Sequence, residues 1–60
     1  MYHVMLNGTK VAEGTSLETV TFYASVKADR DYYLALANDC ERTAFYEVVD
    51  IETGETVAKY

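Results

Sequence analysis

The chain has 60 residues, half of them hydrophobic, and ten acids against five bases give it a net charge of −5. A single small domain is the most this length supports; such a domain buries only about 60% of its unfolded surface, so its core is marginal. One cysteine excludes an intrachain disulfide, one histidine leaves a structural zinc short of its four ligands, and the acidic balance opposes direct contact with nucleic acid or anionic membranes.

The first predicted element is a β-hairpin centred on Asn7-Gly8. Both central positions of a type I′ turn need positive φ, which Asn and Gly tolerate best. A two-residue turn opposes Leu6 with Thr9, Met5 with Lys10, Val4 with Val11 and His3 with Ala12. Tyr2, Val4, Leu6 and Val11 then share one face, and His3, Met5, Lys10 and Ala12 the other.

The middle segment, Gly14 to Thr43, reads two ways. Ser16 is a good N-cap, Glu18 suits a first helical turn, and Leu17, Val20, Ala24 and Ala28 form a stripe at helical spacing. A helix over 17–28 follows, with a second from Asp29 or Asp31 burying Tyr33, Leu36, Ala37 and Cys40 after a break at Lys27-Ala28-Asp29-Arg30-Asp31. Against this, Val20, Phe22, Ala24 and Val26 alternate with Thr19, Thr21, Tyr23 and Ser25 as a strand would. The cap, and the need of a two-hairpin sheet for a covering layer, favour helix.

The last element is a second hairpin around Glu52-Thr53-Gly54-Glu55. A three-residue loop with Gly54 left-handed opposes Ile51 with Glu55, Val49 with Val57 and Glu47 with Lys59. Phe45, Val49, Ile51 and Val57 share one face; Tyr46, Val48, Ala58 and Tyr60 share the other.

The expected fold is α+β: two β-hairpins forming a four-stranded antiparallel sheet, with one or two short helices on one face. An all-β meander or small barrel is the alternative. The expected core is Val4, Leu6, Val11, Leu17, Val20, Leu36, Phe45, Val49, Ile51 and Val57. That choice leaves Met5, Tyr46, Val48, Ala58 and Tyr60 on an uncovered sheet face, and an uncovered apolar face on a small protein marks an interface. Six tyrosines add large, rigid anchors suited to protein contact.

No catalytic, cofactor-binding or metal-binding set stands out. His3 reads as a strand residue without a partner. Cys40 lies among acids that favour the neutral thiol, so it reads as packing rather than as a nucleophile. Gly14-Thr15-Ser16 reads as a cap, since the longer glycine pattern of a phosphate loop is absent. Glu47, Asp50, Glu52 and Glu55 belong to an acid-rich stretch too short for a calcium loop. Their two readings are a solubilising rim and an imitation of DNA phosphates that blocks a nucleic-acid-binding protein.

The functional expectation is therefore a non-enzymatic module that docks on a protein, either a partner or a second copy in a homo-oligomer. No apolar run reaches the roughly 18 residues of a membrane span, and the N-terminus lacks the pattern of an export signal. With a lone thiol, this points to the reducing cytoplasm of a bacterium or of a virus-infected cell. The competing class is the acidic inhibitor, phage-encoded inhibitors included.

Overall fold

The computed structural model describes residues 1–60 as an α+β domain with the order β1 (Tyr2–Leu6), β2 (Thr9–Gly14), α1 (Leu17–Ala37), β3 (Tyr46–Asp50) and β4 (Glu55–Lys59). The strands form one antiparallel sheet in the order β2-β1-β3-β4, and α1 packs across one face. The two predicted hairpins are present and join through β1 and β3, with Val4 opposite Val48 at the centre.

Each hairpin carries a bulge that the pattern of the sequence did not reveal. In β2 the pairing runs Leu6–Thr9 and Met5–Lys10, then skips Val11 to Val4–Ala12 and His3–Glu13. In β4 it runs Asp50–Glu55 and Val49–Thr56, then skips Val57 to Val48–Ala58 and Glu47–Lys59. Val11 and Val57 are the extra residues, one per hairpin. The second loop has four residues, Ile51 to Gly54, because Asp50 and not Ile51 pairs with Glu55. There the Asp50 Oδ1 accepts from the Glu52 amide at 3.0 Å, and Gly54 takes a φ of 78°.

The middle segment is one continuous helix of 21 residues, with no break at Lys27–Asp31. Ser16 caps it, its Oγ accepting from the Thr19 amide at 3.3 Å. The β-prone run that argued for a strand is accommodated locally. Thr21 Oγ1 donates to the Leu17 carbonyl at 2.7 Å and Ser25 Oγ to the Phe22 carbonyl at 2.9 Å, so both hydroxyls are satisfied inside the helix. At the far end the Cys40 amide donates to the Ala35 carbonyl and the Asp39 amide to that of Leu36. This double closure requires a left-handed residue, and Asp39 supplies it with a φ of 53°.

The core is thin. Five of the 60 residues are buried: Val4, Val20, Ala24, Ala28 and Val48, with Tyr2, Ala12, Tyr46, Ala58 and Tyr60 half-buried around them. Across the sheet the row Ala12-Val4-Val48-Ala58 offers a low seat; Val20 and Ala24 are the helical residues set into it, with Ala28 buried a turn further on. Of the expected core, only Val4 and Val20 are buried. Leu6 and Val49 are half-buried; Val11, Leu17, Leu36, Phe45, Ile51 and Val57 are exposed. Tyr33, Ala37 and Cys40 are exposed as well, because α1 runs past the sheet. Twenty-one residues span roughly 31 Å of helix against roughly 17 Å for a five-residue strand. The molecule accordingly extends 39 Å along its longest axis.

Asn7 serves as more than a turn residue. Its Nδ2 donates to the Thr43 carbonyl at 2.8 Å, its Oδ1 accepts from the Phe45 amide at 3.0 Å, and its own amide donates to the Phe45 carbonyl at 3.1 Å. The first hairpin turn thus holds the segment that returns from α1 to β3. Asp31 adds a second tie, its Oδ2 accepting from the Ala44 amide at 3.2 Å.

Two substitutions test this packing. A Cβ on Gly14 would stand 2.9 Å from Val20 Cγ1, on a short, β-branched side chain seated in the core. Gly14→Ala is therefore expected to lower stability in urea unfolding by about 1–3 kcal/mol. Asp39→Gly is expected to raise it by about 0.5–1 kcal/mol, since glycine adopts the left-handed cap without a Cβ clash and a carboxylate leaves the negative end of the helix dipole.

Candidate functional site

Register decides which face of the sheet is free. Because Val4 pairs with Val48, the face under α1 carries Tyr2, Val4, Ala12, Tyr46, Val48 and Ala58, with Tyr60 beside them. The expected interface set is corrected accordingly. Tyr46, Val48, Ala58 and Tyr60 are packed against the helix; Met5 alone stays on the uncovered side. The physical reason lies in the neighbouring rows. Met5 is flanked across the sheet by Lys10 and Glu47, and Glu47 by Lys59. Covering that face would bury charges, whereas the adjacent row consists of two alanines and two valines.

The uncovered face is built from alternate residues: His3 and Met5 on β1, Glu47 and Val49 on β3, with Lys10, Glu13, Thr56 and Lys59 opposite them on the edge strands. The bulge at Val11 has a direct consequence here. Residues three apart in a regular strand point to opposite faces, but the extra residue puts Lys10 and Glu13 on the same one, where they form an ion pair. The hydrogen bond and charge of Lys10 hold Glu13 below the usual carboxylate range; slight desolvation opposes this, and His3 reinforces it. Its folded pKa being lowered, Glu13 contributes stability above its unfolded value, and that contribution fades as pH falls through the folded one. Full exposure keeps the contribution small.

Between the charges lies an apolar band. It consists of Met5 and Val49 on the central strands; the bulge residues Val11 and Val57 of the outer strands are each 43% exposed. Both outer strands also carry a bulge and charged side chains, Lys10 and Glu13 on one, Glu55 and Lys59 on the other. These features obstruct strand-to-strand addition at the sheet edges. Contact to this side is therefore contact to the face.

The other candidate residues are dispersed. Glu47 and Asp50, three apart in a regularly paired strand, point to opposite faces. Glu52 and Glu55 sit at the turn and the start of β4. The four acids do not form one continuous surface. Cys40 is an exposed free thiol beyond the helix and is not part of the packing. Tyr2, Tyr46 and Tyr60 edge the core, whereas Tyr23, Tyr32 and Tyr33 are exposed along the helix. No group of three or more His, Cys, Asp or Glu side chains lies close enough together to hold a metal ion. An open cleft lies where Gly14, Thr15 and Ser16 lead into α1, walled by Val4, Ala12, Thr19, Val20 and Tyr23. Glu13 is its single ionisable group besides the Tyr23 phenol. No helix is long and apolar enough to cross a membrane.

The exposed helix residues were not anticipated. Phe22, Val26 and Tyr33 lie opposite the buried stripe, and the signal for them was present: once Val20, Ala24 and Ala28 are fixed inward, 3.6-residue periodicity turns these three outward.

No protein-family model matches the chain, and neither the curated proteins nor the solved structures include one significantly similar to it.

The geometry of the uncovered face is open to NMR titration of side-chain carboxylates. Glu13 is expected to titrate below the usual glutamate range, and Lys10→Met to bring it back toward that range. Deleting Val11 to restore regular pairing should leave Glu13 lowered, because Lys10 and Glu13 then stand two apart on one strand and keep the same face.

Proposed function

We propose that this chain is a non-enzymatic protein-interaction module that docks a partner protein against the uncovered face of its sheet. The observation that carries this reading is the apolar pair Met5 and Val49 at the centre of the uncovered face, on a domain with five buried residues. Apolar area left open on so small a fold favours association, because covering it removes hydrocarbon from water at about 25 cal/mol per Å². Lys10, Glu13, Glu47 and Lys59 surround the band with both signs of charge, a polar rim that favours a matching protein surface over a phosphate backbone.

Catalysis is a poorer reading. Sixty residues leave little material to build a closed pocket and the shell that would support it. A blocking protein that imitates DNA gains no support from four carboxylates spread over both sides of the sheet. The cytoplasm is the proposed compartment, since the exposed Cys40 thiol suits a reducing environment.

The test compares the immobilised wild-type protein with Met5→Ser/Val49→Ser, after circular dichroism shows that the variant is folded. Each is incubated with cell lysate at about 0.05 M and about 0.5 M salt, which screens surface charge strongly at the upper value. A protein retained by the wild type at both salts and lost with the variant is expected. Equal capture by both, or capture that survives the substitutions and vanishes in high salt, would overturn the proposal.

A further inference from the structure

The outer face of α1 is as unusual as the uncovered sheet. A helix packed on one side of a monomer ordinarily turns polar residues to solvent. Here Phe22 is 70% exposed, Val26 48%, Tyr33 64% and Leu36 65%. At 100° per residue, Phe22, Val26 and Tyr33 lie roughly 160–200° from Ala24, directly away from the sheet. Residues 22, 26, 29, 33 and 36 follow one another at intervals of four, three, four and three. That is the spacing of a seam between two helices. Asp29 occupies its midpoint, with Arg30 beside it; both are exposed, and neither takes part in an ion pair within the chain.

We infer that two copies of this chain pair through α1, antiparallel and about a two-fold axis close to Asp29 and Arg30. The charges select this arrangement. A parallel pairing in register sets Asp29 against Asp29 in the seam, with like charges opposed. An antiparallel pairing centred between residues 29 and 30 sets Asp29 of each copy beside Arg30 of the other, twice, by symmetry. The same centre brings Val26 of one copy to Tyr33 of the second, and Phe22 to the end of the helix that carries Leu36. It also opposes the two helix dipoles.

The area is of the right order. With aromatic side chains of roughly 150–250 Å² each, the four apolar seam residues leave on the order of 400 Å² open per copy. That is about half of the ~800 Å² per partner of a standard interface, and it lies on either side of the central Asp29 and Arg30. Arg30 and Thr19 border the seam, and Asp29 lies within it at the midpoint. The seam lies on the side of α1 opposite the buried Val20, Ala24 and Ala28, so a second copy reaches it on the side turned away from the sheet. This pairing leaves the sheet face free, so it does not depend on the docking proposed for that face.

Sedimentation equilibrium at about 5–200 µM protein in moderate salt tests the inference. The wild type is expected to reach a dimer in this range. Phe22→Ser/Tyr33→Ser is expected to remain helical and weaken dimerisation at least tenfold. Asp29→Arg and Arg30→Asp are each expected to weaken it, and the double exchange Asp29→Arg/Arg30→Asp to restore it, an outcome that a folding defect does not produce. Met5→Ser/Val49→Ser is expected to leave it unchanged. A monomer at 200 µM, or a dimer indifferent to the helix substitutions, would overturn the pairing. So would a dimer dissolved by the sheet-face substitutions instead.

Discussion

Val4 opposite Val48 is the contact on which the rest of this structure depends. It joins the two hairpins into one sheet and fixes which face of each strand looks the same way. Once it is set, Ala12 and Ala58 fall into the same row, and the row is low enough for a helix of small residues to settle on it. Val20 and Ala24 close that contact, and Ala28 extends it. Small side chains allow close approach of backbone to backbone, but each buries little area. The core is therefore tight and thin, and stability rests on few contacts.

The two bulges are what make the row possible. Were the same residues of β2 paired without a bulge, Val11 and not Ala12 would stand opposite Val4; in β4 likewise, Val57 and not Ala58 would stand opposite Val48. A row of four valines would lift the helix away from the sheet. The bulges also account for the other face, since they bring Lys10 to the side of Glu13 and leave Val11 and Val57 exposed at the outer strands. One irregularity per hairpin thus seats the helix on one side and shapes the proposed docking surface on the other. The outer side of α1 adds a further apolar surface, turned away from the sheet.

Much of this was legible in residue order. Asn7-Gly8 and Gly54 marked both turns, and Ser16 marked the start of the helix. The facial sets Phe45/Val49/Ile51 and Tyr46/Val48/Ala58/Tyr60 were separable by alternation. Which set faces inward was not, because alternation within one hairpin carries no information about its phase relative to the other. That phase comes from the pairing of β1 with β3 across more than forty residues of chain. Apolar character alone favoured the wrong side, since Phe45, Val49, Ile51 and Val57 are greasier than Tyr46, Val48, Ala58 and Tyr60. Charge was the better guide: Glu47 and Lys59 share a side with Val49, and a helix cannot be laid over them. The unbroken helix was hidden by the polar run Lys27-Ala28-Asp29-Arg30-Asp31, which read as a break, whereas the strand-like propensity of Thr19-Val20-Thr21-Phe22-Tyr23 is overcome by tertiary contact at Val20 and by hydroxyls bonded to carbonyls a turn behind. The left-handed Asp39 and the bridging role of Asn7 depend on partners distant in sequence or on a cap that glycine ordinarily supplies.

Two adjacent residues separate this arrangement from its inverse. Urea unfolding of Val48→Asp and Val49→Asp, followed by circular dichroism, measures the burial of each side of β3 directly. Val48→Asp is expected to abolish the cooperative transition, because a carboxylate would be forced beneath the helix, and Val49→Asp to retain it with a loss of about 1 kcal/mol or less. Tolerance at Val48 with collapse at Val49 would contradict the placement of α1 over the Val4–Val48 row.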